Sequence, residues 1–225
     1  MNDLILVAAS GLAREVAETV TAAGTYRIVG IVDDDLELRG SDFSGIPVLG
    51  GLEELHLHHS AQVVVCAGQG TTRRSIVERF DDHGIDSYRY ATIIHPSVHV
   101  PRSCSIGSGT VLLAHVAITA DVRIGRHVIA MPNVTLTHDD AVGDYATLCA
   151  GVSLAGLVTV GEAAYLGANA SVREYVQVGD DSVLGMGSAL LSDLPDGQTW
   201  AGVPARQLEP KPVRLTITRP LGETS

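Results

Sequence analysis

The chain has 225 residues, 45% hydrophobic, 18% charged and only 4% aromatic, with a formal net charge of −11. That describes a folded chain with room for two small domains, and its negative balance argues against nucleic acid or an anionic membrane surface as a partner, since phosphates would repel it. Three cysteines, Cys66, Cys104 and Cys149, are an odd number without zinc-type spacing, which predicts a reduced, cytoplasmic setting.

The first apolar run, Leu4 to Ala9, lacks the basic flank of a signal peptide. Asp3 precedes it, and Arg14 and Glu15 follow. No run approaches the ~18 apolar residues of a membrane span. Residues 4–8 are therefore expected to form a buried strand, followed by the turn Ala9-Ser10-Gly11 and a helix over residues 13–23. A second strand over 28–32 ends in Asp33-Asp34-Asp35. A glycine-rich connection through Gly40, Gly45, Pro47 and Gly50-Gly51 leads to a short helical stretch near residues 52–57. A third strand over 63–67 ends in Gly68-Gln69-Gly70 and enters a helix over 71–83. This β-α-β-α-β order predicts a parallel sheet with a crevice at the strands' C-terminal ends. Both glycine-containing turns fall there, where helix N-termini offer free N–H groups to a phosphate. A merely tight turn explains the first of them equally well.

From Ile94 to Leu190 an aliphatic residue recurs at every sixth position, with Ala130 the one member that is not Val, Ile or Leu. A second column, four residues behind, is mostly small or β-branched, from Val98 to Ser188. A six-residue period indicates a parallel β-helix, three hexads making one triangular coil. The segment 209–225 loses the period; a short strand at Val213–Thr218 and a loose end from Pro220 are expected.

One hexad breaks the rule. In Leu136-Thr137-His138-Asp139-Asp140-Ala141, Asp140 takes an inward position, so the backbone there is expected to depart from the regular corner. At a corner His138 and Asp139 can converge. Asp139 then accepts a hydrogen bond from one ring nitrogen and leaves the other free to take a proton, as a general base requires. An exposed solenoid histidine with no task is the competing reading. A zinc site from His115, His127 and His138 is not expected, because spacings of 12 and 11 fit an eighteen-residue coil poorly.

The hexads, the segment from His138 through Asp139, Asp140 and Gly143 to Tyr145, and the tail Ala201-Gly202-Val203-Pro204-Ala205-Arg206 resemble the hexapeptide-repeat sugar acyltransferases. More narrowly, the chain is similar to the subgroup of nucleotide-aminosugar N-acetyltransferases and sialic acid O-acetyltransferases. The resemblance implies a Rossmann-like α/β domain at 1–92, a left-handed parallel β-helix at 93–208 and a C-terminal tail at 209–225. It also implies a homotrimer with a site between neighbouring β-helices, acetyl-CoA as co-substrate, no metal, and a nucleotide sugar held by the N-terminal domain. His138 would be the general base, oriented by Asp139. Gly156, Ala168 and Met186 would contact coenzyme A, and Ser10, Gly11, Asp33 and Asp34 the nucleotide. O-acetylation of a sugar, and a non-catalytic scaffold or ligand-binding module, remain alternative expectations. Departures cluster around substrate recognition: Ala8-Ala9 and Met131 stand where the family usually has glycine and asparagine, and Asp140 where it commonly has cysteine.

Overall fold

The computed structural model describes residues 1–209; the strand expected at Val213–Thr218 and the loose end beyond it lie outside the described residues. The N-terminal sheet is built on strand β1 (Asn2–Val7), whose last four residues are buried. Helix α1 (Gly11–Ala23) starts at Ser10, whose Oγ accepts the Ala13 N–H at 3.2 Å, and stops at Gly24 with φ 63°. Strand β2 (Tyr26–Val32) pairs parallel to β1.

The glycine-rich connection holds more structure than the sequence suggests. It contains strands β3 (Asp42–Phe43) and β4 (Ile46–Gly50), an antiparallel hairpin closed by the Gly45 N–H on Asp42 Oδ1 at 2.7 Å. Pro47 and the flanking glycines disguise β4 as a loop, yet Val48 is buried and pairs with Ile31 of β2. Strand β5 (Gln62–Val65) and helix α2 (Gly70–Asp82) complete the domain, giving the sheet order β3-β4-β2-β1-β5.

From Ile93 the chain winds into two-residue strands, each paired in parallel with the strand eighteen residues further on. Three sheets result, and they wall a triangular prism. Its corners fall at 113–116, 119–122 and 125–128 and recur every coil. The third residue of each corner adopts a left-handed conformation, from Gly109 through His115, Asp121 and His127 to Asp181 and Gly187. His, Asp and Asn are the non-glycine residues that tolerate this best, and they fill many of these positions. Inside, the two hexad columns form one continuous apolar core. After Leu190 the register shortens, Val183 pairing with Thr199.

Asp140 overturns one expectation. Asp139 has φ 64°, like its counterparts on other coils, and Ala141-Val142 pairs in register on both sides. The corner is regular because the buried carboxylate finds two backbone N–H donors.

The N-terminal domain covers one face of the prism. Leu4, Leu6 and Val16 share a core with Ile93, Val111 and Ile129, the outward residues of that face. Behind, α2 and Tyr90 pack on Tyr145 and Ala163 of the adjoining corner. Arg73 of α2 is fully buried there and donates to the carbonyl oxygens of His127, Ala67, Gly68, Tyr145 and Ala146 and to Thr147 Oγ1. Burial pushes its guanidinium down to about 10, still charged at neutral pH.

Candidate active site

His138 and Asp139 stand on the corner at 137–140, the edge where the two uncovered faces of the prism meet. The left-handed turn at Asp139 brings the two side chains together, with His138 Nδ1 2.9 Å from Asp139 Oδ2. Both are well exposed, at 62% and 47% of the side chain. Nδ1 is thereby the protonated nitrogen, and Nε2 is left as the acceptor. The ring lies over Gly156 of the next coil, where an added Cβ would overlap imidazole Cε1 and Nε2. Glycine is needed at 156 for the histidine to lie where it does.

Gly156 and the pair Ala168 and Met186 occupy different corners. The last two stack on the corner at 167–170 and 185–188, where the Gly187 N–H bonds the Ala168 carbonyl at 2.8 Å. Between the two corners runs one open face, whose outward side chains are Ala117, Thr135, Ser153, Ser171 and Ala189. Exposed apolar residues rim it: Leu157 and Tyr175 on the His138 side, Met186 on the other. The three residues expected at coenzyme A thus flank one open face of small side chains.

The four residues expected at the nucleotide lie together at the C-terminal ends of β1 and β2. Ser10 donates to the Cys66 carbonyl at 2.6 Å while capping α1, so its hydroxyl is engaged within the protein. Asp33 likewise accepts the Ala9 and Asp35 N–H groups at 2.7 and 2.9 Å. Gly11 has open space around it. Asp34 is paired with Arg79 at 2.6 Å, a partner that sequence reasoning missed. Asp33 and Asp34 line a crevice with Val7, Ala8, Val32, Leu52 and Ile76. The second glycine turn does not belong to it. An added Cβ at Gly70 would overlap the Tyr145 carbonyl, so the prism closes the helix end of that turn, while Gly68 and Gln69 stay exposed.

His115, His127 and His138 sit on three different corners, and among the described residues no three His, Cys, Asp or Glu side chains are grouped to hold a metal ion. His127 is 1% exposed, stacked on Tyr145 at 5.3 Å and edge-on to Tyr90 at 4.6 Å. Burial, then the Arg126 and Arg73 charges, push it down to about 4, so it is neutral. Unlike His138, it has no acidic neighbour and its hexad keeps the inward Val128, but its burial by the other domain is invisible in sequence. No helix among the described residues is long and apolar enough to cross a membrane.

Comparison with known proteins accounts for both halves. Residues 3–80 match the PglD N-terminal domain family. A curated relative, the UDP-N-acetylbacillosamine N-acetyltransferase of Bacillus subtilis (strain 168), is 32% identical over 116 residues, 51% of this chain; the chain spans about half the length of that relative, 52%. PerB from Caulobacter crescentus, whose structure is a complex with CoA and GDP-perosamine, superposes with a TM-score of 0.85 at 32% identity, covering 93% of this chain and 98% of that one. The acetyltransferase domain of PglB from Neisseria gonorrhoeae FA1090 superposes with a TM-score of 0.83 at 30% identity, covering 92% and 100%. With these matches along nearly its whole length, the chain belongs to the hexapeptide-repeat acetyltransferases in which a PglD-type domain precedes a left-handed β-helix.

Proposed function

We propose that this protein is an acetyl-CoA-dependent N-acetyltransferase acting on the amino group of a nucleotide-linked amino-deoxysugar, with His138 as general base. The observation that carries the proposal is the His138–Asp139 pair at 2.9 Å, seated on Gly156 and facing solvent. The sugar amine attacks the thioester carbonyl, forming the C–N bond. His138 Nε2 takes the proton that the amine must shed, and Asp139 holds the ring through Nδ1. As the tetrahedral intermediate collapses the C–S bond breaks, and the proton passes to the leaving thiolate.

The same reading has the site span two chains of a trimer. His138 lies on the corner opposite the face that its own N-terminal domain covers, so its own nucleotide crevice is on the far side of the prism. A neighbouring chain's crevice supplies the acceptor without that detour. The face of small outward side chains beside His138 suits close approach of a second prism and of a thin pantetheine arm. Relatives that act on or bind UDP- and GDP-linked amino sugars support the substrate class.

Thiol release from acetyl-CoA, measured over a panel of UDP- and GDP-linked amino sugars and hydroxyl-only sugars, tests this. Turnover is expected on an amino sugar, and His138→Ala should lower it by about 10²–10⁴ while the oligomer persists. Turnover on hydroxyl-only sugars would make it an O-acetyltransferase. Near-normal rates in His138→Ala would remove the base.

A further inference from the structure

The corner that carries His138 is tied from inside the prism by a charge that the repeat itself does not require. Asp140 is fully buried, and its carboxylate accepts the Thr137 N–H at 2.8 Å and the Val158 N–H at 3.0 Å. The first bond closes the turn on which His138 and Asp139 stand. The second reaches the corner of the next coil, where Gly156 supports the imidazole.

Elsewhere the prism meets the same need without charge. Two coils below Asp140, Cys104 Sγ accepts the Val122 N–H at 3.4 Å, and Thr110 Oγ1 accepts the Val128 N–H at 3.0 Å. Burying a carboxylate costs desolvation that a thiol, a hydroxyl or a valine avoids. A locally unfavourable choice placed beside the reactive pair calls for a role in that pair's work.

We propose that Asp140 is a positioning residue for acyl transfer: from inside the prism its carboxylate clamps the 137–140 turn to the 155–158 corner and sets the height of the His138 ring over Gly156. The proposal rests on His138 being the base. A carboxylate accepts both N–H groups at once, whereas a carboxylic acid or an amide accepts with one oxygen and turns a donor toward the other. Burial pushes Asp140 up to about 6, against the Val158 and Thr137 N–H groups, which pull it down; His138 also pulls it down and Asp139 pushes it up. Those two are the titratable groups on its own turn, and Val122 below and Val158 above in the same column are aliphatic. The clamp is thus closed above about pH 6 and loosens below it.

The test is steady-state kinetics of thiol release from acetyl-CoA, with the best amino sugar of the panel, from about pH 5 to pH 9. The oligomers compared are wild type, Asp140→Asn, Asp140→Cys, Thr110→Val and His138→Asn. At about pH 8, Asp140→Asn and Asp140→Cys should lose on the order of tenfold in kcat, because small misplacements of a reacting group cost that much or more. KM for both substrates should stay within about twofold, and the ratio of wild-type to Asp140→Asn kcat should shrink below about pH 6. Thr110→Val, which removes an interior cap away from His138, should lower the melting temperature and leave kcat unchanged. If Asp140→Asn misfolds, Asp140→Cys carries the test with the kind of acceptor Cys104 already supplies. Wild-type kcat in the Asp140 variants, a ratio that ignores pH, or an equal loss in Thr110→Val overturns the clamp. An active His138→Asn overturns the reading beneath it instead.

Discussion

Two corners of one prism each carry a histidine, His127 at the left-handed third position with φ 53° and His138 at the second position, just before the left-handed Asp139, and the two histidines have opposite surroundings. His127 lies in a corner that the N-terminal domain covers; it is buried, neutral, stacked on Tyr145, and its Nδ1 has no hydrogen-bond partner among the described residues. His138 lies on the bare corner, exposed, with Nδ1 on a carboxylate and Nε2 free. The repeat supplies a four-residue corner to both, but at a different position on it. What covers each corner, together with the position on it, decides whether the imidazole is packed or exposed.

The covered corner breaks most completely through Arg73. Its guanidinium serves five carbonyl oxygens and one hydroxyl, and among the described residues it has no carboxylate partner. Arg73→Met should destabilise the protein by about 3–5 kcal/mol, because the acceptors stay buried without a donor. Denaturant unfolding measures this, and a change under about 1 kcal/mol would mean that apolar contact and the Arg74 pairs to Glu162 and Asp181 hold the domains together without Arg73.

His127 sharpens the comparison through pH. Its folded-state value is depressed to about 4, below the ~6.5 of an unfolded histidine. Its contribution is therefore complete above about pH 6.5 and is lost as pH falls toward about 4, a change on the order of 3 kcal/mol. His127→Phe should abolish most of that acid sensitivity in melting scans. Asp140 has the opposite sign. Its raised value means that its ionisation weakens the fold as pH rises from about 4 to about 6. Asp140→Asn should accordingly gain stability relative to wild type across that window, even as its turnover falls.

The smallest effect belongs to Ala8. It lines the nucleotide crevice with φ 79°, a conformation that disfavours a Cβ. Ala8→Gly should gain about 0.5–1 kcal/mol, seen as a rise of a few degrees in melting temperature. A loss would show that the strain is already relaxed.

These contrasts mark what the sequence could carry. A six-residue period repeats one local rule, so the prism, its inward columns and the odd hexad at 136–141 could be read from residues alone. The pairing of His138 with Asp139 could be anticipated because both lie within one turn. The hairpin at 42–50 could not, since Pro47 and Gly50 read as loop until β2 is present to pair with Ile46–Gly50. The regular corner at Asp140 is not legible locally, because its two donors include Val158, eighteen residues away. Arg73, Gly70 and His127 owe their roles to docking between domains, a contact that no local pattern encodes. The Arg79 partner of Asp34, 45 residues distant in the chain, was beyond local reading for the same reason.

The central claim is that His138 of one chain acts on a sugar held by the crevice of another. Hybrid oligomers test it most directly, formed by mixing His138→Ala chains with Gly11→Asp chains, in which a new carboxylate beside the open α1 terminus repels the sugar-nucleotide phosphates. Each variant alone should be inactive. A one-to-one mixture should regain up to about a quarter of wild-type turnover, the share of interfaces that pair an intact crevice with an intact base when chains assort at random. Hybrids that stay as inactive as their parents, while assembling normally, would contradict a site shared between chains.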